Sequence, residues 1–469
     1  MSEEELFVSA RPVKSFFVHM LTRDILLEDA ILDLLDNCID GALRSRDKNK
    51  LEQEKYSGFK AELTINKDIF RLEDNCGGIC WDLLKNYAFR MGRVPESPSY
   101  DTDETVGTYG IGMKRAIFKI GTECTVRTQS SSDGCFEVNI TPHWITTNED
   151  WDIPVKKVSS NSDVNGTSIE IKNFHNGIKN LFDTEKSNFL SLLTEKISTT
   201  YSVIMAKGFN ILLNGKPIIP KPITLIFDKN IQPYIYKKEE VIGSNNLSVF
   251  LAVGLTAPLL TEDELVEKEK IKYSSQSAGW TIICNDRVVL YCDKTELTGW
   301  GTGSVPQYHT QFISISGIVE FSSKDSSLLP TTTTKRGVDA ANLVYLRVKE
   351  KMCEGMKIFT SFTNKWKGKE KEIKEKIVVS KALTVADVKL KSTKEVNFLE
   401  VRRAEGGQVA KPTKLPEPLE IENDKKRIIF SADQNQIQEV ARFLKLPTGT
   451  APSKVGEKAF NYVYEEADE

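Results

Sequence analysis

Hydrophobic residues recur at three- and four-residue intervals between residues 16 and 46, which is the spacing of one face of an α-helix. The residues that carry this pattern are Ile25, Leu26, Ala30, Ile31, Leu34, Leu35 and Ile39. The spacing therefore predicts one helical stretch over residues 16–46, with its apolar face packed on a sheet.

Alternating hydrophobic and polar positions then predict strands separated by turns. A polar, turn-rich loop is expected at 93–106, and a helix over Met113–Ile120 follows a glycine-rich segment. The strands predicted in this part of the chain are Ala61–Ile65, Ile69–Glu73, Glu123–Gln129, Cys135–Ile140 and Ser168–Lys172. Because helices and strands do not strictly alternate, the pattern predicts an α+β fold.

The rest of the chain repeats this mixture. Helical patterns cover residues 185–205 and 338–378, and Gly and Pro residues predict a linker over 404–424. A last segment, 425–469, is predicted to hold one strand, Arg427–Ala432, and two helices. Between the two helical patterns we predict the strands Ile211–Leu213, Val249–Gly254, Trp280–Cys284, Val288–Cys292 and Phe312–Glu320.

Composition narrows the class of protein. The 469 residues include 63 Lys and Arg and 66 Asp and Glu, so the formal net charge is -3. That balance excludes a protein held to nucleic acid by bulk positive charge. No run approaches about 18 apolar residues, and the acidic start Met1–Glu5 lacks an apolar segment. We therefore expect a cytoplasmic protein without a membrane span. Eight scattered cysteines without a C-x-x-C pair argue against a disulfide framework or a zinc site.

Candidate chemistry begins in the first helix. Asp33, Asn37 and Asp40 stand at positions i, i+4 and i+7, so they share one helix face. Asp36 lies about 100° around the helix from Asn37. Alone, this polar face is better explained as an ordinary solvated helix face.

Three further motifs follow at strand ends and turns. Asp74-Asn75-Cys76-Gly77-Gly78 follows a strand, and its carboxylate could bond a flat ligand that the glycines let approach. Gly107-Thr108-Tyr109-Gly110-Ile111-Gly112-Met113-Lys114 opens a helix, where backbone N–H groups favour phosphate. Asn165-Gly166-Thr167 is a turn before a strand. Each motif alone also fits an ordinary surface turn.

Together, the order, spacing and predicted settings of these four motifs resemble the Bergerat-fold (GHKL) ATPases, the family of gyrase B, the 90-kDa heat-shock chaperones, histidine kinases and MutL. The resemblance covers roughly residues 16–175 and implies an N-terminal α/β sandwich. In that family the helix asparagine coordinates Mg²⁺ bound to the triphosphate, which assigns this role to Asn37. The aspartate of the second motif bonds the adenine amino group, which assigns that role to Asp74. Residues 93–106 would form the ATP lid.

The resemblance implies ATP and Mg²⁺ as cofactors and adds further ATP-binding residues. Gly78 would make room for the base, Thr167 would support Asp74 through water, and Asp40 would join Asn37 on the helix. The third motif would wrap the phosphates. Its binding residues are Gly107, Gly110, Ile111, Gly112, Met113 and Lys114.

Two departures from the family pattern matter. Hydrolytic members carry a glutamate as general base four residues before the asparagine, and Asp33 stands there. A carboxylate is kept on a shorter stem, so we expect slow hydrolysis, since general-base catalysis needs hydrogen-bond reach. Cys76 replaces the usual first glycine of the second motif. We interpret it as a packing residue rather than a redox switch.

A second region resembles the transducer domain of the microrchidia (MORC) and MutL type, a ribosomal-S5-like α/β domain. The resemblance rests on the segments 285–291, 317–321 and 329–336. It implies that Lys335 reaches the γ-phosphate and, with Asp33, forms the catalytic pair. The alternative is a surface lysine in a loop. A histidine kinase is disfavoured, because those proteins lack this second domain.

The C-terminal part suggests partners. Lys and Arg outnumber Asp and Glu between residues 331 and 381, which fits either a contact with DNA phosphates or a solvated helix. Residues 425–469 weakly resemble ribbon–helix–helix units, and a dimerisation or docking module is equally consistent. We predict four segments: a Bergerat domain (1–180), a transducer-like domain (181–360), a charged helix with a linker (361–424) and a small strand–helix–helix module (425–469).

The resulting hypothesis is an Mg-ATP-dependent ATPase that dimerises on ATP and acts as a nucleotide-gated switch or clamp. A DNA or protein client would bind through residues 361–469, and no membrane would be involved. One alternative is an ATP sensor with little hydrolysis. The other is a DNA-binding regulator that acts through its C-terminal module.

Overall fold

The computed structural model comprises two compact units, Met1–Pro418 and Leu419–Glu469. Position 107, residues 93–104 of the expected lid and residues 427, 429 and 430 of the predicted strand Arg427–Ala432 lie outside the described residues. The described residues are 13–90, 92, 105–106, 110–147, 151–160, 163–261, 264, 277–332, 334–377, 382–401, 406–412, 415–418, 428, 431–447 and 449–467.

The first unit contains two large sheets. The strands of the first sheet are β1 (Lys60–Ile65), β2 (Phe70–Asp74), β3 (Gly121–Ser130), β4 (Gly134–Ile140), β5 (Val155–Val158), β6 (Gly166–Phe174), β7 (Asn210–Leu213) and β8 (Lys216–Pro217). Their order is β5-β4-β3-β6-β2-β1-β7-β8. The β1–β7 pair is parallel, whereas the other neighbours are antiparallel. Because β7 and β8 follow residue 180, the first sheet continues beyond the expected end of the first domain.

The helices of this region include the one that carries the first motif. They are α1 (Lys14–Arg23), α2 (Leu27–Ser45), α3 (Trp81–Leu83), α4 (Gly112–Ile120), α5 (Pro142–Thr146), α6 (Asn176–Phe182), α7 (Phe189–Thr200) and α8 (Ser202–Ala206). The single helix predicted over 16–46 is wrong, since the chain leaves the helical conformation between Arg23 and Leu27. Ile25 is buried in this break, so the apolar spacing continues where the helix does not. Leu34, Leu35 and Ile39 are fully buried, as their spacing predicted.

The second sheet follows in sequence. Its strands and those of a small two-stranded sheet are β9 (Thr224–Ile226), β10 (Tyr234–Ile242), β11 (Asn245–Leu255), β12 (Gly279–Cys284), β13 (Arg287–Asp293), β14 (Ile315–Ser323), β15 (Ala382–Thr384), β16 (Leu399–Glu400) and β17 (Gln408–Ala410). The second sheet has the order β13-β12-β14-β11-β10-β17-β16, and β9 pairs with β15. Along β11, Val249 and Leu251 belong to one core and Phe250 and Ala252 to the other. Both faces of this sheet are therefore covered.

Helices cover the second sheet and its C-terminal extension. They are α9 (Leu343–Lys365), α10 (Glu370–Ile377) and α11 (Val385–Glu395). Tyr345 and Met356 of α9 pack in one core with Trp280 of β12, and Val388 of α11 packs in the other. The stretch predicted as a linker over 404–424 contributes β17 to the sheet, because Val409 and Ala410 are buried there.

The second unit contains α12 (Gln434–Phe443) and α13 (Pro452–Ala467), in agreement with the two predicted helices. The Phe443 and Tyr462 rings meet edge to face, with centroids 5.5 Å apart. Among the described residues of this unit, Val455 is the one that is buried. Within the described part of the chain, no helix combines the length and the apolar character needed to span a bilayer.

Candidate functional site

One cavity of about 240 Å³ collects the residues that the motifs singled out. It lies between α2, the turn after β2 and the start of α4, and Lys335 of the second-sheet region reaches it. All predicted site residues that the structure describes line this cavity: Asp33, Asn37, Asp40, Asp74, Gly78, Gly110, Ile111, Gly112, Met113, Lys114, Thr167 and Lys335. Gly107 lies outside the described residues.

Helix α2 forms one wall of the cavity. From Ala30 to Leu43 its residues are buried, with the exception of Asn37, whose side chain is exposed at the cavity. Three residues later, the Asp40 carboxylate accepts a hydrogen bond from the Val106 backbone N–H at 2.7 Å. Burial raises the pKa of Asp40. The helix thus exposes the Asn37 amide to the cavity. Through Asp40 it also holds Val106, the residue just before the third motif.

Asp74, the last residue of β2, also lines the cavity. Its Oδ1 atom accepts the backbone N–H groups of Cys76 at 2.8 Å and of Thr167 at 3.2 Å. Burial raises the pKa of Asp74, and these hydrogen bonds oppose the rise. Thr167 therefore supports the carboxylate directly through its backbone, and the water-mediated contact implied by the resemblance stays a prediction.

The turn after β2 requires glycine at position 78. Gly78 has φ +71°, a conformation that side chains other than glycine rarely adopt, and a Cβ atom there would lie 1.9 Å from the Gln129 carbonyl oxygen. The turn is therefore pressed against β3. This close packing holds the second motif at a fixed distance from the neighbouring strands.

Two thiols lie beside Asp74. Cys38 and Cys76 are buried, and burial together with the negative charge of Asp74 raises the pKa of both thiols. Thiols with raised pKa values are poor nucleophiles, because the thiolate is the reactive form. All eight cysteines are free. The interpretation of Cys76 as a packing residue agrees with this setting.

Lys114 brings positive charge to the lining of the cavity. Lys114, in the first turn of α4, is buried, and burial lowers its pKa to about 8. Its ammonium donates hydrogen bonds to the carbonyl of Ala88 at 3.0 Å and to that of Gly110. Ala88 ends a π-helical turn, Leu84–Ala88, a rare conformation often found at functional sites. Within the described residues, this buried cation has only neutral partners.

Asp33 packs against Gly112, the first residue of α4. A Cβ atom at Gly112 would be 3.2 Å from the Asp33 Cβ, so the glycine permits this approach. The Asp33 Oδ2 atom accepts a hydrogen bond from Arg115 Nη2 at 2.5 Å. Burial and the charge of Asp36 raise the pKa of Asp33, whereas Lys335 and Arg115 lower it. The candidate base is thus in place but paired with a cation that sequence reasoning did not identify.

Lys335 is held at the cavity edge by Asp36. Asp36 Oδ2 accepts a hydrogen bond from Lys335 Nζ at 2.9 Å, and Oδ1 accepts from Arg287 Nε and the Tyr201 hydroxyl, each at 2.8 Å. Although burial alone would raise the pKa of Asp36, the attraction of Arg287 and Lys335 outweighs it and lowers the pKa. Lys335 itself has φ +56°, a strained backbone conformation of the kind that clusters at functional sites.

Metal binding would have to rely on few protein ligands. Within the described residues, no group of three or more His, Cys, Asp or Glu side chains could hold a metal ion. Mg²⁺ commonly binds through one or two protein ligands together with substrate phosphates. The exposed amide of Asn37 fits that mode of binding.

Sequence reasoning missed several cavity residues besides Arg115. Arg44, one helical turn after Asp40, and Tyr87 of the π-helical turn also line the cavity. For Arg44 the available signal was its place on the same helix face as Asn37 and Asp40. No sequence signal pointed to Tyr87.

Comparison with known proteins bears on this site. Residues 25–176 match the model of a family described as histidine kinase-, DNA gyrase B-, and HSP90-like ATPase. No curated protein sequence matches the chain. The matched segment contains the four motifs, whereas Lys335 lies outside it. The family match supports the Bergerat fold and, in general terms, ATP binding for residues 25–176, and the finer likeness to the MORC and MutL type stays a prediction.

Proposed function

We propose that the chain is an Mg²⁺-dependent ATPase of the MORC and MutL type, which dimerises when ATP binds and works as a nucleotide-gated switch or clamp. One observation carries the proposal. A half-buried carboxylate (Asp74), an exposed amide (Asn37), a helix start beside a buried cation (Lys114) and Lys335 of the second-sheet region line the same cavity. An adenine nucleotide needs a hydrogen-bond acceptor for its amino group and positive charge for its phosphates.

At the base end, Asp74 would accept a hydrogen bond from the adenine amino group. Its Oδ1 atom already receives two backbone N–H groups and the Cys38 thiol also contacts the carboxylate, so the base would bind at Oδ2. Gly78 also lines the cavity, and its lack of a side chain lets the turn that carries Asp74 pack directly against β3.

At the phosphate end, the N-terminus of α4 supplies backbone N–H groups, and Lys114 supplies a full charge. Burying a cation among neutral partners is unfavourable. A bound phosphate would remove that penalty. Asn37 would hold Mg²⁺ together with the triphosphate, and the bound ion would neutralise charge that develops on the transferred phosphoryl group.

Asp33 is the proposed general base for the attacking water. Its raised pKa favours proton uptake, but its pairing with Arg115 competes with that role. An anionic γ-phosphate near α4 would offer Arg115 a second partner and release the carboxylate. The same pairing favours the alternative function, an ATP sensor that hydrolyses little.

Steady-state ATP turnover separates the two functions. We expect Mg²⁺-dependent turnover in the wild type and its loss in Asp33→Asn, with nucleotide binding kept in both proteins. Equal background rates together with intact binding would favour the sensor. Absence of ATP binding in the wild type would refute both.

Dimerisation is tested separately by light scattering. The molar mass should double with a non-hydrolysable ATP analogue, whereas with ADP it should stay that of the monomer. A molar mass that is independent of the nucleotide would contradict the proposed switch.

A further inference from the structure

The hairpin between β12 and β13 contacts the first-sheet region through three consecutive side chains. Its turn residues, Asn285 and Asp286, have φ values of +47° and +67°, and Arg287 follows. Asn285 donates to the Thr105 carbonyl at 3.0 Å. Arg287 donates to Asp36 at 2.8 Å. The hairpin tip therefore contacts both the segment before the third motif and the helix that carries Asn37.

Asp286 anchors this tip. Its carboxylate accepts hydrogen bonds from Lys55 and the Tyr56 hydroxyl, each at 3.0 Å, and from Lys207 at 2.7 Å. Although burial opposes ionisation, the two lysines hold the pKa of Asp286 well below its usual range. The charged anchor fixes the position from which Arg287 reaches Asp36.

The two oxygens of Asp36 have different partners. Oδ1 accepts from Arg287 and Tyr201, whereas Oδ2 accepts from Lys335. Arg287 Nη1 also donates to the backbone carbonyl of Lys335 at 2.7 Å. One guanidinium thus holds both the carboxylate and the main chain of the residue that the carboxylate binds.

This arrangement bears on how Lys335 could move. Asp36 is 1% exposed, so leaving it without a cation would strongly destabilise the protein. Arg287 is 4% exposed and donates to Oδ1, the oxygen that Lys335 does not use. Lys335 can therefore leave without stranding a buried charge, while its carbonyl remains fixed.

We infer that Asp36 is the resting acceptor of Lys335, and that Arg287 is a positioning residue that lets the Lys335 ammonium leave Asp36 for the γ-phosphate of ATP. Neither Asp36 nor Arg287 lines the cavity, so both act through Lys335. The inference rests on the proposed function, since it takes ATP as the ligand of the cavity.

The test compares the affinities of a non-hydrolysable ATP analogue and of ADP, both with Mg²⁺, by calorimetry. In Arg287→Met, Lys335 is the one cation left on Asp36 and should remain there. The preference for the ATP analogue over ADP should then fall by at least about tenfold, the effect of one hydrogen bond to a charged group. ADP affinity should stay unchanged, because ADP lacks the γ-phosphate.

A double variant supplies the matched control. Asp36→Asn combined with Arg287→Met removes one negative and one positive charge, and it leaves Lys335 without an ionic acceptor. In this double variant the preference for the ATP analogue over ADP should return to the wild-type value. Arg287→Lys should retain part of the preference that Arg287→Met loses. A merely structural role of Arg287 would instead lower the unfolding temperature and weaken both nucleotides alike.

The outcomes are distinguishable. Equal losses for ATP analogue and ADP in Arg287→Met, or a double variant as defective as the single one, would overturn the positioning role while the ATPase proposal stands. No nucleotide binding by the wild type would overturn the proposed function and this inference with it. An unchanged ATP preference in Lys335→Met would show that the lysine does not read the γ-phosphate.

Discussion

Replacing Asp74 by Asn should weaken ATP binding while leaving the fold intact. Asn keeps an oxygen at the Oδ1 position, so the backbone N–H groups of Cys76 and Thr167 retain their acceptor. At the other position an NH₂ group replaces the oxygen that would accept the adenine amino group. Two donors would then face each other inside the buried end of the cavity.

The magnitude follows from the lost interaction. A hydrogen bond to a charged group contributes about 1.5–3 kcal/mol, and leaving a buried donor unpaired costs a similar amount. ATP affinity should therefore fall by about 10- to 150-fold. Stability should change little, because burial already raises the pKa of Asp74 and so disfavours its charge.

The assay pairs two ligands with two proteins. Calorimetry with ATP and with purine riboside triphosphate, which lacks the amino group, gives four affinities. Wild type should bind the purine analogue more weakly than ATP, whereas Asp74→Asn should bind both about equally. If Asp74→Asn lowered the affinity of both ligands by the same factor, or of neither, the carboxylate would not be reading the amino group.

Affinity for ATP should fall by up to about tenfold per pH unit above pH 8, because Lys114, whose pKa is about 8, then loses its proton. Lys114→Arg should abolish this pH dependence in the same titration. A wild-type affinity that does not change with pH would contradict the role of Lys114 in phosphate binding. Asp286→Ala should lower the free energy of unfolding in urea by about 3–5 kcal/mol, because it removes the buried carboxylate that pairs with the buried Lys55 and the half-buried Lys207. Glu52→Ala removes the exposed partner of the same lysines and should cost less than about 1 kcal/mol, so equal losses would refute the argument. Gly78→Ala should prevent ATP binding, since its Cβ would lie 1.9 Å from a carbonyl of β3. Gly134→Ala, with a similar φ and no atom closer than 3.8 Å, should keep binding; equal loss in both would implicate backbone strain instead.

Local sequence patterns singled out residues that the structure brings together around one cavity. Helical spacing put Asp33, Asn37 and Asp40 on one face, because a helix fixes such neighbours without help from the rest of the chain. The same geometry placed Asp36 away from Asn37, and the structure finds it facing Arg287. The motif order singled out Asp74 and Thr167, which line the same cavity and contact each other through the Thr167 backbone.

The charged partners could not be predicted in this way. Arg115 and Arg287 bond carboxylates that are 82 and 251 positions away in sequence, and no periodicity records such pairings. The break before α2 was missed because Ile25 is buried without being helical. β17 was missed because glycine and proline around it resemble a linker, whereas Val409 and Ala410 complete a sheet.

The parallel pairing of β1 with β7 has a consequence for how the chain can be cut and made. Residues 60–63 pair with residues 210–213, and β7 covers one side of β1. A fragment that ends at residue 180 would expose that side as an open edge, and open edges promote aggregation. On the ribosome, likewise, β1 stays half-paired until residues 210–213 have emerged. Soluble expression should therefore require an end beyond Pro217, the last residue of β8.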